Sequence, residues 1–245
     1  MPLGASRAGL MSVAEDDIPD SAIAHYRLAE SSGDTLTDEI GDNDGTASGA
    51  SIVSNNYVGG YARDGDGTDD VLEFATFNDF DYVQSWQDGT ASLLTFETTD
   101  ESRAIYANNV DDDSPRMEVN TAGEYDSPSG RLEWAIVGED FDNRQVVYSD
   151  IDVTDGTRYR LQLNKTGNSA SDMEIYLVES DGTVHDGTNV AQDATLGSFN
   201  DLSEPMRCLS NGFVFQDAVV DNVIPCNGPI TASERNVDID NQPWI

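Results

Sequence analysis

The chain has 245 residues, of which 38% are hydrophobic, enough to bury one substantial core. Its 47 acidic residues against 12 basic ones leave a formal charge of −35, and Lys165 is its single lysine. Such a surface cannot displace counterions from a phosphate backbone, which excludes nucleic acid as a partner. No run of about 18 apolar residues is present, so no membrane-inserted helix is expected.

Dense carboxylates repel one another in dilute buffer, but at molar salt the screening length falls to about 3 Å and the repulsion largely disappears. An acidic, lysine-poor composition of this kind resembles that of proteins from salt-rich cells. Three tryptophans and regular strand-like alternation argue against an acidic disordered chain.

Residues 1–14 carry no acid and are rich in Gly, Ala and Ser, with Leu3, Arg7, Leu10 and Met11 as their larger side chains. They make a poor secretory signal and are expected to form an extended assembly arm, with residues 1–22 serving as arm and linker. A first strand is expected at 23–28, where Ala24, Tyr26 and Leu28 share a face. A polar loop follows over 30–49, then short strands at 51–53 and 61–63.

The stretch from Asp64 to Phe74 reads as an acidic, glycine-rich turn that feeds a strand carrying Leu72 and Phe74 on one face. Its carboxylates invite a calcium loop, because hard cations take oxygen ligands, but an EF-hand beginning at Asp64 would need a glutamate where Ala75 stands. The glycine pair Gly59 and Gly60 is not repeated at nine-residue intervals, so a calcium β-roll is also excluded.

Alternating runs continue at 80–86, 92–97, 103–107 and 116–120. The clearest are 131–137, with Leu132, Trp134 and Ile136 facing one way, and 157–164, with Tyr159, Leu161 and Leu163 opposed to Arg158, Arg160 and Gln162. A period of two over this length means antiparallel strands. A further strand at 173–179 ends in the hairpin signal Asp181-Gly182. About a dozen short strands with Gly/Asp/Asn turns, and no helix beyond a turn or two, predict an all-β antiparallel jelly-roll sandwich.

Several of these segments, taken in order, resemble a laminin-G-like, concanavalin-A-type lectin/glucanase domain. They are 24–33, 41–46, 64–74, 155–159, 173–182, and 219–223 with 231–234 after it. The resemblance implies a jelly-roll domain over 23–235 and a C-terminal tail over 236–245. In the closing strand, Ile224, Pro225 and Cys226 replace the family's basic and aromatic residues. The family often holds a structural calcium near its first and last strands, which would fall to Asp42, Asp44 and Asp221.

The glucanase branch of that family places two glutamates around an aspartate on one strand face, and this chain has no such triplet. The acidic clusters 139–142 and 150–152 sit in expected loops, and neither His25 nor His185 has a nucleophile motif beside it. A non-enzymatic protein is therefore expected. Aromatic rings that stack on sugars would be Trp86, Tyr106 and Tyr125, against the alternative that they are core or rim residues.

Cys208 and Cys226 are the two cysteines and are expected to form a disulfide tying the final strand to its predecessor, against the alternative of two buried thiols. Asn164, Lys165 and Thr166 form a glycosylation acceptor that is equally a hairpin turn.

These features together suggest a virion surface or assembly protein of a virus infecting a salt-loving microbe. It would be a homo-oligomer joined to other virion proteins and would grip host surface glycans. The alternative is a free carbohydrate-binding module or lectin, extracellular or on the surface of a halophilic cell.

Overall fold

A computed structural model of the chain describes residues 18–55, 60–76, 89–101, 105–108, 116–138, 140, 142–196, 205–211, 214–231 and 234. The arm residues Leu3, Arg7, Leu10 and Met11, the run 80–86 with Trp86, and the tail 236–245 lie outside them.

Sixteen strands are described: β1 (Thr35–Leu36), β2 (Gly45–Ser48), β3 (Ser51–Asn55), β4 (Gly60–Asp66), β5 (Val71–Thr76), β6 (Thr90–Thr98), β7 (Tyr106–Ala107) and β8 (Arg116–Asn120). The second half comprises β9 (Arg131–Val137), β10 (Arg144–Asp152), β11 (Arg158–Lys165), β12 (Met173–Val178), β13 (Val184–Gly187), β14 (Asn189–Asp193), β15 (Pro205–Cys208) and β16 (Asp217–Cys226). One 3-10 turn, Ala170–Asp172, precedes β12 and is closed by a capping box from Ser169 and Asp172. The strands form two antiparallel sheets. One has nine strands in the order β1-β2-β5-β15-β7-β8-β9-β10-β14, and the other seven in the order β13-β12-β11-β6-β16-β4-β3. The expected all-β sandwich is therefore what the chain builds.

Alternation explains the interior. Leu94 and Phe96 of β6, Tyr159, Leu161 and Leu163 of β11, and Ile175 and Leu177 of β12 project from the seven-stranded sheet. They meet Leu72, Phe74, Met117, Val119, Leu132, Trp134, Ile136 and Val147 of the other sheet in one buried cluster. Each large side chain buried there contributes about 1.5–3 kcal/mol.

Several sequence expectations need correction. The strand expected at 23–28 is irregular chain with isolated bridges, Tyr26 pairing with both Asp38 and Val223 and Leu28 turning to a φ of +55°. Its alternation is real, because Ala24, Tyr26 and Leu28 are all buried in the core, but no continuous ladder runs beside it. The stretch from Asp64 is only half a turn: Asp64, Gly65 and Asp66 belong to β4, which pairs with β16. Gly65 is needed for space, since a Cβ there would lie 3.0 Å from the Gln216 carbonyl oxygen and from Leu209. The true bend is at Gly67, with φ of +75°. Asp150 and Asp152, expected in a loop, lie in β10.

The outward faces are not uniformly wet. Arg160 and Gln162 of β11 lie on the face opposite Tyr159, Leu161 and Leu163, yet both are buried. On the same side of the seven-stranded sheet, Ala91, Leu93, Ile224 and Cys226 pack with Ile230, Ile18 and Ala22 in a second cluster. On the outer side of the nine-stranded sheet, Tyr125 packs on Ala135, Val137 and Val146. These coverings explain why strands with a clean period of two show burial on both faces.

The chain changes sheets between β13 and β14, which belong to different layers, with only Thr188 between them. Gly187 makes this step feasible: a Cβ there would lie 2.7 Å from the Ser149 Cα and 3.0 Å from the Tyr148 carbonyl oxygen. Gly187→Ala should therefore lower the unfolding free energy by about 1–3 kcal/mol, read as a shifted denaturation midpoint in molar KCl.

Candidate functional site

Strand period places Arg116, Glu118 and Asn120 of β8 on the outer face of the nine-stranded sheet, opposite Val137, Ala135 and Glu133 of β9. The connecting loop, residues 121–130, folds back over them. Its closure is local: Gly130 N–H donates to the Thr121 carbonyl at 2.9 Å, and Gly123 has a φ of +68°. A Cβ on Gly123 would sit 2.6 Å from the Ser127 carbonyl oxygen, so the loop's path requires glycine there.

The loop delivers Tyr125 into the sheet. Its hydroxyl donates to Glu118 Oε2 at 2.6 Å and accepts from Arg116 Nη2 at 2.7 Å. Its backbone N–H donates to Glu133 Oε2 at 3.1 Å, and Asn120 Nδ2 reaches Glu133 Oε1 at 3.1 Å. Arg144 lies over the Tyr125 ring, 5.2 Å from its centroid. Arg116, Glu118, Asn120, Tyr125 and Glu133 are each at most 1% exposed.

Burial raises the Tyr125 phenol far above its ordinary value, with the Glu118 charge adding to this, so the hydroxyl remains a donor. Burial also pulls at the Arg116 guanidinium, but Glu118 and Tyr125 outweigh it and hold the guanidinium charged. Chemically this is a saturated lock. Neither glutamate faces solvent, so neither can act on a substrate while the loop is in place. Tyr125→Phe should cost about 1–3 kcal/mol, because it strips Glu118 and Arg116 of a partner in a water-free site. Thermal unfolding measures that loss.

Tyr106, on β7, is equally buried: its hydroxyl donates to Met206 Sδ at 3.4 Å and accepts from Ser92 Oγ at 3.3 Å. Neither Tyr106 nor Tyr125 presents a ring face for a sugar, which corrects the sequence expectation for both. The alternative reading of core aromatics is the one realised. Trp134 is in the core, as its alternation requires.

The residues proposed to bind calcium are not brought together. Asp42 is exposed, Asp44 Oδ1 accepts the Asp38 N–H at 2.9 Å, and Asp221 is buried in β16. Their carboxylate oxygens do not converge within 4.8 Å, so they do not fit a shared ion. The convergence among the described residues occurs instead at Asp66, which ends β4, and Asp69 and Asp70 in the bend after it. These three can offer oxygen ligands to a hard cation, although Asp70 Oδ2 already accepts the Asp66 N–H at 2.6 Å and Asp66 Oδ1 that of Thr68 at 2.9 Å. Burial and neighbouring carboxylates hold the Asp70 and Asp64 carboxyl groups above the ordinary pKa range, making them weaker acids, with Asp217 the main charge acting on Asp64.

Cys208 and Cys226 are both buried free thiols on strands of different sheets, so the expected disulfide is not formed. Burial pushes the Cys226 thiol up to about 12 and raises Cys208 as well, leaving both protonated and inert. Asn164 closes the glycosylation question. It is the penultimate residue of β11, buried, with its Oδ1 accepting the Ile230 N–H at 2.8 Å, so the folded chain offers no acceptor amide there.

The partner of His25 was not legible, because nothing in its sequence neighbours signals a residue 197 positions away. Its Nε2 lies 2.7 Å from Asn222 Oδ1, and Asn222 sits at a φ of +52° in a bulge of β16. Burial holds the imidazole below its ordinary value of 6.5. As pH falls below 6.5 the unfolded chain takes up a proton that the folded chain refuses, so stability is lost with acidification. Asp64 and Asp70 act in the opposite sense at lower pH, since protonation relieves their crowding. Comparing wild type with His25→Gln isolates the histidine. The wild type should lose stability between about pH 6.5 and 5 by up to about 1.4 kcal/mol per unit, and the variant should show a flatter profile.

No family model matches the chain, and no curated protein matches it. Solved structures do. The binding domain of botulinum neurotoxin DC in complex with SialylT superposes with a TM-score of 0.61 at 11% identity, over 90% of this chain and 51% of that one. A botulinum neurotoxin type C structure, described as showing that cell entry depends on interaction with two ganglioside molecules, gives 0.60 at 11%, over 92% and 52%. The receptor binding domain of the C/D mosaic serotype gives 0.59 at 10%, over 90% and 50%. What is shared is the fold. The chain spans about half the length of these domains.

Proposed function

We propose that this chain is a non-enzymatic recognition module whose lectin-like sandwich binds glycans, displayed on the virion surface of a virus that infects a salt-loving microbe. The observation that carries the reading is the likeness of nine-tenths of the chain to domains described as binding receptors, one of them in complex with SialylT. Fold alone does not determine ligand, so the glycan rests on that analogy. The charge of −35 with a single lysine supports a salt-rich setting. The burial of Glu118 and Glu133 beneath the Tyr125 loop supports a binding rather than a catalytic role.

In this reading Trp86 supplies the ring that stacks on sugar, and residues 1–17 carry the contact with sister subunits and other virion proteins. The alternative is a free glycan-binding module of a halophilic cell surface. Two measurements in molar KCl distinguish them: glycan-array binding of wild type and Trp86→Ala, and light-scattering mass of the full chain and of one lacking residues 1–17. Glycan binding that falls about tenfold or more in the variant, with a defined oligomer that becomes monomeric on truncation, supports the virion module. Glycan binding by a monomer in both forms transfers the function to the free module. Absence of glycan binding removes the proposal.

A further inference from the structure

The two ends of the described domain are fastened to each other. The Asp20 N–H donates to Glu234 Oε1 at 2.9 Å, the Asn227 N–H to the Ser21 carbonyl at 3.0 Å, and the Ile23 N–H to the Pro225 carbonyl at 3.0 Å. Ala22 forms an isolated bridge with Cys226. Glu234 is itself held by the Thr231 N–H at 2.8 Å, and Ile230 is pinned to Asn164. These residues form a clasp across the outer side of the seven-stranded sheet.

The clasp has its own small hydrophobic cluster. Ile18, Ala22 and Ile230 cover Ala91, Leu93, Ile224 and Cys226, and this group is separate from the main core between the sheets. The main core takes hold of the incoming chain from Ile23 onward, and Tyr26 and Val223 exchange two backbone hydrogen bonds of 2.9 and 2.8 Å. Below that point the fastening is sparse. Pro19, Pro225 and Pro229 have no N–H to donate, so no continuous ladder forms. Few apolar contacts, isolated backbone bonds and a terminal position are the marks of a segment that opens with less free energy than the whole domain.

We propose that this clasp opens as a unit of its own while the two-sheet sandwich stays folded, so that a pull or a binding event on either flanking segment is taken up at the clasp before it reaches the core. The inference stands on the contacts around Ile18 and Ile230 and is independent of glycan binding. The molecule carries its own probes, because Cys226 lies beneath the clasp and Cys208 lies in the main core.

The full chain in molar KCl is treated with a maleimide across sub-denaturing guanidinium concentrations. Modification at each cysteine is followed by peptide mass mapping and normalised to its rate in the unfolded chain. Cys226 is expected to react about tenfold or more faster than Cys208 under native conditions, with a shallower dependence on denaturant. Ile18→Ala should accelerate Cys226 again and leave Cys208 unchanged. Equal rates that rise together with denaturant, or no reaction at Cys226 short of global unfolding, would overturn the proposal.

Discussion

The sandwich stands on a contest between its apolar interior and its charge. The interior gains free energy from every side chain that the two sheets bury against each other, while 47 carboxylates push outward at low ionic strength. Four of the twelve basic groups are not placed on the surface to blunt that repulsion. Arg63, Arg116, Arg160 and Lys165 are all buried. Arg116 is tied to Tyr125 and Glu118, Arg63 donates to the Gly33 carbonyl at 3.0 Å, and the Lys165 ammonium donates to the Gly167 carbonyl. These four cations thus act as internal fasteners, while Arg158 and Arg207 pair with the half-buried Glu97 and the exposed Glu73, and screening of most of the anionic exterior is left to the solvent.

The same economy explains why both outward sheet faces are covered. A bare face on the nine-stranded sheet would expose Ala135, Val137 and Val146 beside ionised groups. The 121–130 loop instead turns that ground into a small secondary core sealed by one tyrosine. The other sheet uses the segments around Ile18 and Ile230 for the same purpose. Coverage by short segments is achieved without a helix longer than a turn among the described residues.

Fold class was legible because a period of two survives in each strand on its own: 116–120 and 131–137 coincide with β8 and β9. Elements whose identity depends on a distant partner were not legible. β10 reads as a loop because Asp150 and Asp152 interrupt it, yet its register with β9 and β14 holds it extended. The two-residue strands β1 and β7 exist only by pairing. Site residues were the least legible. Tyr125 lies in a Gly/Asp/Ser-rich turn that reads as exposed, and only the return of that loop onto Glu118 and Glu133 buries it. The cysteines lie close in sequence, but β15 and β16 belong to different sheets, which no count of cysteines reveals.

The burial of the single lysine reaches beyond the fold. Lys165 ends β11 with no exposed area, its side chain drawn inside the turn toward Gly167. Aldehyde fixatives and amine-coupled surfaces act on exposed ammonium groups, and the folded domain offers no lysine for them to capture. Routine aldehyde fixation of the folded domain is therefore expected to leave no lysine cross-links. Immobilisation through amines would fall on some group other than a lysine side chain.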